Sequence, residues 1–403
     1  MLVDYERSGR ILGETEITAV ATQRLQRVSF DFTGPKIVRL EAALGGSYQR
    51  RDGKLVYTPE RPIPKGGEFF VGFQYAGTPP TVTDPDGTQE GWYPTDDGVL
   101  AVGEPQGTAA WIPCDNVPGD KATFSFTIEV PRGLKAVANG RYGGSSKIPP
   151  HSTRFFWRED SPMSPYLAVL DIGRGRIEPG QIGNRKTWTL VDPRLAPGSR
   201  PVLARLPEIV RFESGLYGPY AFESAGSIVD FAPGLGYALE TQSRPIYPYT
   251  PDLTTVVHET AHQWFGDSVG LKRWPEIWLN EGFATWTEWY YAERHGRRSA
   301  HAIFNRLYRV PASNTAFWNP PSAHPGTPKN LFGPSTYIRG AMALEALRLK
   351  IGTKPMLRVL REWTTGHRYR SGTIKEFTDL AETVSGRNLD PFFQRWLYRR
   401  GKP

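Results

Sequence analysis

Near Asp192-Pro193 the hydrophobic pattern of this chain changes its period, and the period decides which backbone a segment can form. Ahead of that point, from Ile11 to about Asp192, the chain reads as strands. Runs such as Glu16-Ile17-Thr18-Ala19-Val20 and Thr123-Phe124-Ser125-Phe126-Thr127-Ile128 alternate or gather β-branched residues between Gly, Pro and Asp turns. Beyond it, residues 201–217, 254–265, 279–295, 337–350 and 374–383 carry apolar side chains at helical spacing. The turn-forming run Asp-Pro-Arg-Leu-Ala-Pro-Gly-Ser-Arg at 192–200 places the boundary between them. A length of 403 residues also exceeds what one hydrophobic core ordinarily supports. The pattern therefore predicts an α+β multidomain chain, with an all-β domain over 1–195 and a mainly helical one over 196–403. The stretch 78–107, rich in Pro, Gly, Thr and Asp, reads as a long loop between strands, and no internal repeat is evident.

Composition removes several classes of function. The formal net charge of +8 is not gathered into a Lys/Arg run interleaved with aromatics, so nucleic acid is not an expected partner; Arg297-Arg298 and Arg399-Arg400-Gly401-Lys402 read as solvated surface. Cys114 is the only cysteine, which excludes an intramolecular disulfide framework and any multi-cysteine zinc site. No apolar run approaches the length that crosses a bilayer, so no membrane insertion is expected. Met1 to Arg10 lack a secretory signal, and the chain as written reads as cytoplasmic; a secreted mature form with its signal removed would look the same.

The chemistry is concentrated in His258-Glu259-Thr260-Ala261-His262, an HExxH pattern in an apolar helical stretch that Thr250 would cap, Pro251 would open and Gly266 would end. A helix turns ~100° per residue, so two histidines four apart return to one face and can share a metal. Eighteen residues separate His262 from Glu281, which lies in a second apolar helix expected to end at Gly296. Two imidazoles and one carboxylate leave a fourth position open, the arrangement of a catalytic zinc, one per chain. Zinc brings the pKa of its water toward ~7, and Glu259, rotated away from the ligand pair, takes the proton during attack on a peptide carbonyl and returns it to the leaving amine. The developing oxyanion calls for a further donor, and a tyrosine hydroxyl, protonated at neutral pH, suits that task.

His258 to Asp267 followed by Trp278-Leu279-Asn280-Glu281-Gly282-Phe283-Ala284 resembles the zinc signature of the gluzincin aminopeptidases, the family of aminopeptidase N and the leukotriene hydrolase. Ile112-Pro113-Cys114-Asp115-Asn116-Val117-Pro118-Gly119-Asp120-Lys121-Ala122-Thr123-Phe124 similarly resembles a segment of that family's N-terminal β domain. The resemblance implies a thermolysin-like catalytic domain and, because the chain stops about where that domain ends in the family, a short two-domain form. It also implies hydrolysis of the N-terminal peptide bond of peptides with a free amino terminus. Where the family has Gly-x-Met-Glu-Asn, this chain has Tyr237-Ala238-Leu239-Glu240-Thr241. The likeness assigns Glu240 to the substrate's α-amino group, with Ala238 beside it among the substrate-binding residues. A second amine-binding carboxylate falls on Glu104, ten residues before Cys114, with Val102 where the family has Gln. The family's catalytic tyrosine falls on Tyr337, in Tyr337-Ile338-Arg339-Gly340.

Glu288, two turns beyond Glu281, returns to the same helix face, where it is expected to accept the outer N–H of a zinc-bound imidazole or to be a surface carboxylate. His151, His295, His301, His324 and His367 share no ligand spacing and are read as surface or loop residues. Asp267, Asn280 and Arg339 suit helix capping or surface pairing as well as orienting their neighbours. A thermolysin-type endopeptidase would need the same metal triad without Glu240 and Glu104. An inert scaffold on this fold would show a lost ligand, base or tyrosine, and none is lost. Epoxide hydrolysis of a lipid finds no residue that points to it specifically.

Overall fold

A computed structural model describes all 403 residues. The first half is β-rich. Its largest sheet has seven strands in the order Arg141–Ile148, Ser152–Met163, Ala122–Pro131, Leu2–Tyr5, Ile11–Val20, Glu68–Gly77 and Lys36–Ala42. Ile11–Val20 and Glu68–Gly77 pair antiparallel over their whole length, Ile11 opposite Gly77 and Val20 opposite Glu68. In this ladder Gly13 faces Tyr75, and a Cβ there would stand 2.2 Å from the ring. The space lets Tyr75 lie flat across the sheet and donate its hydroxyl to the Trp111 carbonyl at 2.7 Å, fixing the segment that leads to Cys114. Cys114 itself is buried and unpaired.

A five-stranded sheet, in the order Lys135–Ala138, Leu170–Gly173, Val99–Val102, Gln89–Pro94 and Thr81–Thr83, corrects the sequence reading of 78–107 as a long loop. Val99–Val102 is buried at every position, so it has no polar face to produce alternation, and Thr81–Thr83 is too short to show a period. The correction bears on the site, because Glu104 follows directly on Val99–Val102.

The expected boundary falls where the strand Arg185–Val191 gives way to the helix Ala196–Leu203. One sheet crosses it: Arg176–Ile182 and Arg185–Val191 join Ser224–Val229 and Ile246–Tyr247, the last three running parallel. Ile228, Leu235, Leu239 and Ile246 consequently pack into the core of the β-rich half, while the helices share a second core rich in Trp, Tyr and Phe. Glu240, beside Leu239, is thereby held at the seam between the two cores.

The helical half departs from expectation at several ends. The 201–217 segment is two helices, Ala196–Leu203 and Leu206–Tyr217. The HExxH helix runs Leu253–Ala261 and is capped not by Thr250 but by Asp252, whose carboxylate accepts from the Thr255 N–H at 2.8 Å. It stops well before Gly266, with His262 as its C-cap. The 337–350 segment opens as a π-helix, Ser335–Arg339, before continuing as the α-helix Gly340–Ile351. Trp278–Arg294 ends beside Gly296, whose φ of +71° is the left-handed value that glycine tolerates best. No helix is long and apolar enough to cross a membrane.

Candidate metal centre and substrate cavity

The HExxH helix and Trp278–Arg294 bring His258, His262 and Glu281 together, with one ligand atom from each lying within 4.8 Å of the others. Glu281 Oε2 lies 3.2 Å from His258 Nε2 and 3.3 Å from His262 Nε2. The outer ring nitrogens are both engaged. His258 Nδ1 faces Glu288 Oε1 at 2.6 Å, and His262 Nδ1 donates to the Phe265 carbonyl at 2.9 Å. These contacts leave both Nε2 atoms turned inward, the tautomer and orientation that a metal needs. Glu288 thus stands where the two-turn spacing put it.

Charge balance gives the fit test for a cation. Burial opposes ionisation of Glu281, but the two imidazoles, His262 foremost, overcome it and hold the carboxyl at about 2. Burial likewise opposes protonation of His262, yet Glu240 and Glu281 raise it to about 9. The centre is therefore short of positive charge, and two imidazoles with one carboxylate are the donor set of a catalytic zinc site. His258, His262 and Glu281 fit zinc.

A cavity of about 450 Å³ opens on this centre and has no Lys or Arg in its lining. Glu259, Tyr337, Glu240, Glu104, Ala238 and Glu288 all reach it. Glu259 is 5% exposed, and burial lifts it to about 8 against the pull of His258 and His262. Glu104 and Glu240 offer carboxylate oxygens within 4.8 Å of each other and of Glu281, and each keeps one buried oxygen without a hydrogen-bond partner. Burial pushes both upward, Glu104 well beyond the usual carboxylate range with Glu240 adding to the effect.

Tyr337 lies 6.2 Å from His258, ring centre to ring centre. Its place follows from two glycines, because a Cβ on Gly282 would stand 3.0 Å from Gly340 Cα. Only at that spacing can the segment carrying Tyr337 lie against the helix carrying Glu281. Arg339 is fully buried rather than on the surface, and its guanidinium binds the carbonyls of Trp318, Trp396, Arg395, Arg399 and Gly401. It ties the π-turn to the end of the chain, a long-range contact that no local spacing announces. Asn280 donates to the Tyr166 hydroxyl at 3.2 Å, and Asp267 is fully buried.

Reading the residues alone missed Tyr237 as a structural bridge. Its side chain, where the family motif has glycine, crosses from the catalytic half to the β-rich half and donates to the Gln89 carbonyl at 2.8 Å. Tyr249, Asp86 and Phe332 also line the cavity without a sequence signal of their own. His295, the C-cap of the helix that carries Glu281, pairs with Glu208 at 2.8 Å, and neither it nor His151, His301, His324 and His367 joins a metal-binding group.

A β-rich half followed by a helical half that carries two histidines and a glutamate as a metal donor set is the form of a zinc hydrolase. Residues 239–396 match the peptidase family M1 domain. Probable aminopeptidase 2 of Sulfurisphaera tokodaii is 24% identical over 328 residues, covering 73% of this chain and 40% of its own. Aminopeptidase M1 of Arabidopsis thaliana is 26% identical over 329 residues, with 74% and 36% covered. The chain thus spans about two fifths of the length of these curated relatives. The crystal structure of an M1 zinc metallopeptidase from Deinococcus radiodurans superposes with a TM-score of 0.90 at 27% identity, covering 100% of this chain and 92% of that one. A mutant of that enzyme bound to a Tyr-Ser-Ala substrate gives a TM-score of 0.91 at 26% identity, covering 100% of this chain and 93% of that one. The chain is thus similar to peptidase family M1 over its catalytic half and to M1 zinc metallopeptidases in overall fold, and its His258, His262 and Glu281 donor set fits the zinc those structures are named for.

Proposed function

We propose that this chain is a zinc aminopeptidase that removes the first residue from peptides with a free amino terminus. The observation that carries the reading is the pair Glu104 and Glu240, each buried with an unpartnered oxygen beside the metal ligands. A buried carboxylate without a partner is costly, and a substrate ammonium is the partner that supplies what both lack.

His258, His262 and Glu281 would hold the zinc, which when bound would supply a Lewis acid for the scissile carbonyl and for activating the attacking water. Glu240 and Glu104 bind the α-ammonium, so the register of the peptide places its first peptide bond, and no later one, at the centre. Glu259, buried in the cavity wall beside His258 and His262, accepts the proton of the attacking water and delivers it to the leaving nitrogen. Tyr337 donates its hydroxyl hydrogen bond to the carbonyl oxygen as negative charge grows there. Burial first, then Glu281, hold that hydroxyl well above the ordinary tyrosine value, so it remains a donor. Ala238, on the strip that leads to Glu240, contributes to the cavity wall along which the peptide lies.

The test is a panel of aminoacyl chromogenic amides assayed beside their N-acetylated counterparts, with and without a chelator. Free-amine substrates turn over, blocked ones do not, and chelation stops the reaction. Equal cleavage of blocked and free substrates would instead identify an endopeptidase.

Tyr337→Phe separates transition-state from ground-state binding. It is expected to keep zinc and KM and to lower kcat by about 10²-fold, the scale of one lost oxyanion donor. A kcat within threefold of the parent would assign the oxyanion contact to another group.

A further inference from the structure

The segment Ile112 to Phe124 belongs to the β-rich half, yet Lys121 reaches out of it into the catalytic half. Its Nζ donates to the Asp267 carbonyl at 2.5 Å and to the Ser268 carbonyl at 3.1 Å. The space for it is built in: a Cβ on Gly270 would stand 2.8 Å from Lys121 Cε and 3.1 Å from Nζ. Beside it, Gly119 packs against the backbone of Leu271 and Lys272, with their carbonyls 3.5 and 3.4 Å from where its Cβ would be.

The turn that Lys121 grips is the one that follows the HExxH helix. Within it the Asp267 N–H donates to the His262 carbonyl at 3.1 Å, the Gly266 N–H to the Val269 carbonyl at 2.8 Å, and the Val269 N–H to the Trp264 carbonyl at 3.1 Å. Enclosed by these bonds is the Phe265 carbonyl, the acceptor for His262 Nδ1. The helix has already ended at His262, so no further helical turn fixes that carbonyl.

We propose that Lys121 is a positioning residue of the metal centre: by tying the carbonyls of Asp267 and Ser268 it fixes the turn whose Phe265 carbonyl orients the His262 imidazole. The β-rich half then supplies a working part of the zinc site as well as Glu104. Burial pulls the Lys121 amine down to about 7 against Asp267, but an uncharged amine still carries two N–H groups for two carbonyls. Protonation therefore leaves the arrangement intact.

This inference rests on His262 being a zinc ligand, and the experiment separates the two. Zinc affinity is measured by chelator competition, and the cobalt-substituted protein is read by its visible absorption, which follows the ligand field at the centre. Parent protein that binds no stoichiometric zinc would overturn the ligand assignment itself. With zinc bound by the parent, Lys121→Met is expected to weaken zinc about 10- to 100-fold, as loss of an outer-shell support does, and to shift the cobalt bands. Ser164→Ala is the control, since the Ser164 hydroxyl anchors the same loop through the Pro118 carbonyl at 2.7 Å without touching the turn. It should lower Tm and leave both readouts unchanged. If Lys121→Met does not fold, Lys121→Leu carries the test, because it too removes the amine and leaves the backbone of the turn untouched. Zinc affinity within threefold of the parent and unshifted cobalt bands, in whichever variant folds, would overturn the proposal, as would an equal loss of affinity in Ser164→Ala.

Discussion

Glu259→Gln is expected to keep one zinc per chain and to lose turnover by about 10²- to 10⁴-fold, the range that a positioned general base supplies. Glu259 shares the helix Leu253–Ala261 with His258 and reaches the same cavity, its carboxylate within 4.8 Å of a ligand atom of His262 but outside the His258, His262 and Glu281 set, so an amide of the same shape replaces it without removing a ligand. What the amide cannot do is accept a proton. His258→Ala gives the contrasting phenotype, because it removes a zinc ligand together with the Glu288 contact at 2.6 Å and should strip the metal from the protein. Metal analysis beside kcat on one aminoacyl amide distinguishes the two variants. Glu259→Gln with zinc bound and a rate within tenfold of the parent would remove Glu259 from the reaction.

The grouping of the candidate metal ligands was legible because its information is local. His258 and His262 are one helical turn apart, Glu288 is two turns from Glu281, and a fixed rise per residue turns those intervals into positions in space. Glu104 and Glu240 had no such interval. They were reached through likeness to family motifs, and the structure brings them to the same cavity, Glu104 from the end of Val99–Val102 and Glu240 from the seam between the two cores. The strands within 78–107 were missed because a strand buried on both faces carries no alternation, as Val99–Val102 shows. Thr250 looked like the helix cap by residue type, but the cap is decided by which oxygen meets the N–H three residues on, and Asp252 does so. Contacts such as Arg339 with the last residues, or Lys121 with the turn after His262, join positions far apart in the chain, and no sequence interval records them.

Glu240→Ala is expected to lower kcat/KM on free-amine substrates by about 10²- to 10³-fold while hardly changing the slow rate on N-acetylated ones. Glu240 is 2% exposed and one of its oxygens has no partner. A substrate ammonium entering beside it gains a desolvated ion pair, and an acetylated nitrogen leaves the carboxylate buried and unpaired. Removing one partner of such a pair costs about 3–5 kcal/mol, and the stated loss in rate corresponds to about 3–4 kcal/mol, within that range. In the variant a blocked peptide no longer faces the unpaired charge of Glu240, so the ratio between the two substrate classes collapses from the side of the free amine. Glu104, drawn up beside Glu240 with the same shortage of positive charge, retains a residual preference. Zinc content must remain at one per chain, since Glu240 lies outside the His258, His262 and Glu281 set. If free-amine and blocked substrates lost rate equally in Glu240→Ala, the residue would be supporting the metal centre and not the amino terminus, and the choice of the first peptide bond would need another source.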